Sequence, residues 1–218
     1  MLTRRGLIAE TMAGGAALIR QASAAVLPPS GVLRFEVLRN DRRLGEHVIR
    51  LTQDSTTMRA AINVEIAVGL GPITLYRYTH NVQEEWRDGI FMRMESETND
   101  DGTRHSVRAE RTTEGVAVRT GDGKRMVMPP ATIPLTHWND KCMSALLLNP
   151  QTGDQVRPQV RLLGEGNIPL ANGRIVRARR YALTGEIALD DWYDEARSWV
   201  ALDCIGRDGS TIAYRRAT

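Results

Sequence analysis

From Gly31 onward, apolar and polar residues alternate with a period of two along most of the chain. That is the repeat of a strand with one buried face. Residues 32–38, 44–52, 56–68 and 73–87 form the first four such runs, with Ile62, Val64, Ile66 and Val68 on one face of the third. Shorter runs follow at 90–99, 103–112, 116–119 and 124–128, and again at 155–163, 174–183, 198–205 and 211–215. The breaks between them are turn chemistry: Asn40-Asp41, Asp88-Gly89, Asp101-Gly102, Gly121-Asp122-Gly123 and Asp208-Gly209. Asx-Gly pairs tolerate the positive φ angles of tight hairpins.

One segment breaks the period. After Pro129-Pro130 and Pro134, Thr136 is placed to cap a helix over residues 137–148. There Trp138, Cys142, Ala145 and Leu146 fall at i, i+4, i+7 and i+8, and Asn149-Pro150 ends the run. Residues 190–197 read as a wide turn. The pattern therefore predicts an all-β fold: a strongly curved antiparallel meander, a half-barrel or open barrel, with one short helix plugging its mouth. A sheet of about ten or more strands must curl, and closing it hides its edges.

The first residues change where this domain is expected to work. Arg4-Arg5 stands before a mildly apolar run that ends in Ala22-Ser23-Ala24. This is the charged, apolar and small-residue order of an export signal, here of twin-arginine type. The division expected is a signal over 1–24, a spacer over 25–30 containing Pro28-Pro29, and a single β domain over 31–218. Export machinery would be the precursor's partner and the periplasm its destination. Glu10 inside the apolar run departs from the usual signal, and a plain N-terminal helix is the alternative.

The formal net charge of the 218 residues is +3. Removal of 1–24 would take away three basic side chains and one acidic one, so the remainder is almost balanced. Nucleic acid is not an expected partner, since that footprint is strongly basic on one face. No later stretch is long and apolar enough for a helical membrane span. Cys142 and Cys204 are an even pair, which an oxidising compartment would join as a disulfide. Both also sit among apolar neighbours, where a free cysteine is an ordinary core residue.

Catalytic signatures are absent: no Gly-x-Ser-x-Gly elbow, no His-Glu-x-x-His helix, no phosphate loop and no Cys-x-x-Cys. No two of the four histidines lie closer than 25 residues, so neither a metal nor another cofactor is expected. One constellation follows from two-residue turns at Asp88-Gly89 and Asp101-Gly102. Continued without interruption, that register sets His80 opposite Glu97 and Glu84 opposite Arg93. Tyr76, Tyr78, His80, Glu84 and Trp86 then share a face with Arg93, Glu95 and Glu97, with Met94 and Val107 on the core side. Such a face is either a solvated surface of cross-strand ion pairs or a groove in which Tyr76, Tyr78 and Trp86 hold a ligand's body while His80 and Glu97 orient its polar end. A second candidate is the helix entrance, with His137 and Asn139 at the mouth of the curl and Trp138 as a core anchor.

Several segments resemble a family of uncharacterised exported bacterial domains. They are residues 35–41 (Phe-Glu-Val-Leu-Arg-Asn-Asp) with Leu44-Gly45-Glu46-His47, and Tyr78-Thr79-His80 through Asp88-Gly89. Thr136-His137-Trp138-Asn139, Asp191-Trp192-Tyr193-Asp194 and residues 208–214 continue the match. The resemblance implies no known activity. More distantly, the meander is similar to the periplasmic lipoprotein-carrier half-barrels, an analogy of fold alone. Three functions are therefore expected as alternatives: binding of a lipid-like hydrophobic or amphiphilic ligand or of an envelope protein; an exported enzyme using a His80–Glu97 pair; or a structural envelope factor.

Overall fold

The computed structural model describes residues 31–70, 73–206 and 208–217, so the expected signal and spacer lie outside the described residues. The first eight strands form a meander: β1 (Val32–Arg39), β2 (Arg42–Asp54), β3 (Thr57–Leu70), β4 (Ile73–Arg87), β5 (Ile90–Asp100), β6 (Thr103–Arg111), β7 (Val116–Thr120) and β8 (Arg125–Met128). An inserted segment follows, with β9 (Thr132–Pro134), a 3-10 turn (Asp140–Met143), β10 (Leu146–Leu148) and β11 (Gln155–Val156). A second meander closes the chain: β12 (Gln159–Pro169), β13 (Ile175–Thr184), β14 (Leu189–Asp194), β15 (Trp199–Ile205) and β16 (Thr211–Arg216).

The two meanders make one antiparallel sheet of 13 strands, ordered β12-β13-β14-β15-β16-β1-β2-β3-β4-β5-β6-β7-β8. They join where β1 pairs with β16, from Phe35 opposite Arg216 to Arg39 opposite Ile212. The sheet is not closed, and β12 and β8 are its edges. The expected all-β, strongly curved meander is thus the fold found. Its tight turns are also as expected: Asn40 and Asp41 take φ of 47° and 63°, Asp88 and Gly89 of 50° and 73°, and Asp101 and Gly102 of 49° and 95°. In β2, Gly45 is required by a close approach, since a Cβ there would sit 1.9 Å from the Glu65 carbonyl oxygen.

The inner face gathers Phe35, Ile49, Ala60, Ile62, Val82, Trp86, Met94, Val107 and Trp199, all buried in one cluster. The inserted segment fills the hollow of the curl and adds Trp138, Cys142, Leu147, Leu148 and Val156 to the same core. It is tied to both arms of the sheet. On one side Tyr78 donates to Gln151 Oε1 at 3.2 Å and Lys141 Nζ to the Gly89 carbonyl at 2.7 Å. On the other, Tyr193 Oη donates to the His137 carbonyl at 2.9 Å, and Arg197 pairs with Asp140.

The helix expected over 137–148 is corrected to the short 3-10 turn followed by strand β10. The three leucines of β10 are all buried, because β9 and β11 pair on its two sides and the sheet covers it. A strand buried on both faces loses its alternation, and its residues can mimic a helical stripe. The wide turn expected over 190–197 is corrected in part by β14. Its inward position 191 is an aspartate, which hides the alternation of Leu189, Asp191 and Tyr193.

Both cysteines are free thiols, which corrects the disulfide alternative. Cys142 is fully buried with its Sγ 3.6 Å from Tyr193 Oη. Cys204 stands on β15 opposite Leu189 and Ile212.

Candidate functional site

The register between β4 and β5 decides which side chains face the hollow. The Asp88-Gly89 turn pairs Arg87 with Ile90 and Trp86 with Phe91, as two-residue hairpins do. Then Glu85 pairs with Arg93, so Met92 is an extra residue, a β-bulge. One extra residue exchanges the two faces of everything beyond it. His80 consequently lies opposite Thr98, Glu84 opposite Met94, and Asn81 opposite Glu97. The expected His80–Glu97 pair does not form: Glu97 is exposed on the outer face, while His80 is buried inside. His80 Nδ1 is hydrogen-bonded to Thr98 Oγ1 at 2.7 Å instead. Met94 and Val107 are core residues as read, each 1% exposed or less.

Inside the curl, β2, β3, β4, β14, β15 and β16 line a half-open cavity of about 320 Å³ whose remaining wall is the inserted segment. Ile49, Ile62, Val64, Val82, Leu135 and Leu202 give it an aliphatic lining. A volume of this size lies at the lower end of small-molecule sites. Toward the β1–β2 turn, β1, β2 and β3 line a further opening of about 570 Å³ with Val37, Leu44, Ile66 and Val68, and the two spaces share Ile212. Tyr76 stands at this mouth, its hydroxyl donating to Asp100 Oδ1 at 2.8 Å, with Arg39 and Asp208 paired on the rim.

Three histidines enter the inner cavity: His47, His80 and His137. His47 has no hydrogen-bond partner for its buried Nε2. Burial first, then repulsion from His137 and His80, pushes its imidazole down to about 3. Burial alone brings His80 down to about 4. Glu84 is fully enclosed, and burial pushes its carboxyl up to about 7. The opposing pull comes from two indoles: Trp86 and Trp138 both donate to Oε2, at 2.9 and 3.2 Å. Thr136 adds a third such pull on this carboxyl, although its Oγ1 stands outside ordinary hydrogen-bond geometry.

His137 is held from behind. Its Nδ1 lies 2.8 Å from Oδ2 of Asp191, a carboxylate with no exposed surface, whose Oδ1 accepts the Trp199 indole N–H at 3.0 Å. The imidazole also stacks on Trp199 at 4.8 Å between ring centroids. This fixes the ring's orientation, as a carboxylate does for a catalytic or ligating histidine. Cys204 faces the same cavity, but burial and the nearby Asp203 and Asp191 raise its thiol pKa, the reverse of activation. Among the described residues no group of three His, Cys, Asp or Glu side chains is arranged to hold a metal.

Of the residues singled out from the sequence, Tyr78, His80 and His137 line the inner cavity and Tyr76 its mouth. Trp86 is corrected to a core residue, 2% exposed, in edge-to-face contact with Trp138. Asn139 is also structural, its side chain accepting from the Lys141 amide at 3.2 Å to cap the 3-10 turn. Sequence reasoning missed His47, Thr136 as a cavity group, and Asp191. His47 was within reach, since it shares strand parity with Ile49 and Leu51. Asp191 carried no such signal, because an inward acid is recognised only through its partners.

The fold is similar to the crystal structure described as a beta-barrel-like protein of domain of unknown function DUF1849 from Brucella abortus. The TM-score is 0.61 at 10% sequence identity, over 86% of this chain and 95% of that one. At that identity the likeness is one of fold. No protein of curated function matches the sequence. Residues 35–217 match the pattern of DUF6134, a domain of unknown function, and the chain belongs to that family.

Proposed function

We propose that this protein binds an amphiphilic small molecule, its apolar body lying along the trough between the sheet and the inserted segment. The observation that carries this reading is the pairing of aliphatic walls with buried polar atoms that lack a partner of ordinary hydrogen-bond geometry, His47 Nε2 and, beside Glu84, Thr136 Oγ1. A buried polar group without a partner costs about 1–3 kcal/mol, and native folds retain few of them. A ligand that supplies the missing hydrogen bonds explains why they persist. The leader read from Arg4-Arg5 and Ala22-Ser23-Ala24 supports action in the periplasm, where lipid-like molecules need carriers through water.

The test is uptake of the fluorescent apolar probe N-phenyl-1-naphthylamine by the purified chain, together with native mass spectrometry for a co-purified small molecule. Saturable fluorescence enhancement is expected. Val64→Phe should weaken it, since Val64 pairs with both His47 and His80 and lines the cavity. Absence of uptake by a folded wild type, or uptake indifferent to Val64→Phe, would remove the reading.

A further inference from the structure

The inner cavity is lined by no lysine or arginine among the described residues. Its polar groups are three imidazoles, the Glu84 carboxyl, the Thr136 hydroxyl, Tyr78 and Tyr214 hydroxyls, a few amide groups, and the Cys204 thiol. Several are already committed through one of their atoms. His80 and His137 are bonded through Nδ1 to Thr98 and Asp191, Tyr78 is bonded to Gln151, and Oε2 of Glu84 to two indoles. Two wholly enclosed atoms of this lining have no partner of ordinary hydrogen-bond geometry, His47 Nε2 and, beside the Glu84 carboxyl, Thr136 Oγ1. A hydroxyl both donates and accepts, and a neutral imidazole nitrogen does one or the other according to its tautomer.

We propose that the ligand's buried end is an uncharged group that both donates and accepts hydrogen bonds, a hydroxyl or a carboxamide, seated between His47 and Thr136. This rests on the amphiphile reading above and names the class of ligand. A carboxylate end would be taken out of water with no lysine or arginine to meet it, and His137 is already paired with the Asp191 carboxylate. Burial also resists protonation of His47 and His80, which would otherwise supply a cation. An ammonium end would require Glu84 to ionise where it is wholly enclosed and already bonded to Trp86 and Trp138. Asp191 offers no alternative, since both its oxygens are occupied by His137 and Trp199. A neutral end demands none of these changes and satisfies both partnerless atoms.

The experiment loads the wild-type protein with N-phenyl-1-naphthylamine and displaces it with decan-1-ol, decanoate or decylammonium, one chain length with three end groups. The buffer is held at about pH 6, above the ordinary carboxylate range and below the titration of Glu84. Decan-1-ol is expected to displace the probe at concentrations at least about tenfold lower than either ion. Thr136→Val, which keeps the shape and removes the hydroxyl, should shrink that gap to less than about threefold. Equal potency of the three, or preference for an ion, would overturn the neutral-end assignment while leaving the cavity reading standing. A wild type that takes up no probe would overturn the cavity reading itself. The comparison of end groups uses the wild-type chain, so it decides between a neutral and a charged end even if the variant fails to fold.

Discussion

The indole N–H of Trp138 donates to Oε2 of Glu84 at 3.2 Å, joining two residues 54 positions apart. Trp86 donates to the same oxygen at 2.9 Å, and the two indoles meet edge-to-face at 5.7 Å. A carboxyl on β4 is thus the anchor by which the inserted segment is held against the sheet. The arrangement has a pH signature with a definite sign. Because the folded-state pKa of Glu84 is raised to about 7, its favourable contribution is complete below the unfolded value of 4.5 and is lost as pH rises through about 7. Glu84→Gln keeps an acceptor for both indoles and removes that loss. Relative to wild type, it should gain on the order of 2 kcal/mol between about pH 5 and about pH 8. Urea denaturation at the two pH values measures this, and parallel behaviour of the two proteins would contradict it.

His47 and His80 impose the opposite trend. Their folded-state values fall to about 3 and about 4 from 6.5, so their contribution is present above 6.5 and is lost as pH falls through those values. The wild-type protein should therefore weaken on acidification below pH 6.5. His47→Phe, which has no group to protonate, should weaken less steeply. A Tm profile from about pH 4 to about pH 8 reads the slope, and identical acid limbs would show that His47 is not the group being charged.

The bulge at Met92 makes a testable separation of faces. Met94→Ala should cost about 2–5 kcal/mol by opening a cavity at a fully buried site. Glu97→Ala, on the exposed outer face, should stay within about 0.5 kcal/mol. His80→Ala should cost about 1–3 kcal/mol, since it leaves Thr98 Oγ1 buried and unpaired. An uninterrupted register would make His80 and Glu97 equally tolerant, so equilibrium unfolding of the three variants distinguishes the two arrangements.

Asp191 supports both His137 and Trp199 from a position with no exposed surface. Asp191→Ala should destabilise by about 3 kcal/mol, because it strands buried hydrogen-bonding groups. Asp191→Asn retains an acceptor and should recover part of the loss. Near-ultraviolet circular dichroism should report a changed Trp199 environment in the alanine variant. A variant with wild-type Tm and spectrum would show that the pair contributes nothing to holding the ring.

The thiols are expected to be two in denatured, unreduced protein and to differ in the native state. Cys142 is fully buried, whereas Cys204 is half-buried in the cavity wall. Maleimide labelling of native protein should modify Cys204 slowly and spare Cys142, and probe uptake should fall as Cys204 is blocked. Mass spectrometry finding no free thiol after denaturation would overturn this.

Strand identity, hairpin positions and the curved all-β class were legible in the sequence because each rests on local chemistry. Alternation over residues such as Ile62, Val64 and Ile66 defines a buried face, and Asp88-Gly89 or Asp101-Gly102 supplies the backbone angles of a tight turn. His47 was also legible, since strand parity alone places it beside Ile49 and Leu51. What lay beyond local chemistry was settled by the fold. Nothing in residues 90–93 marks Met92 as the bulged position; packing Trp86 and Phe91 together with Met94 into one core selects it. The segment after Pro134 carries a helical stripe, yet its backbone becomes a 3-10 turn and strand β10 because the sheet surrounds it with partners for every side. The union of His47, Glu84, Thr136 and His137 around one hollow depends on closing long loops between β2, β4 and the inserted segment. The pattern of residues along the chain determined which surfaces were apolar; only the tertiary structure decided which of them would face one another and what polar groups would be enclosed between them.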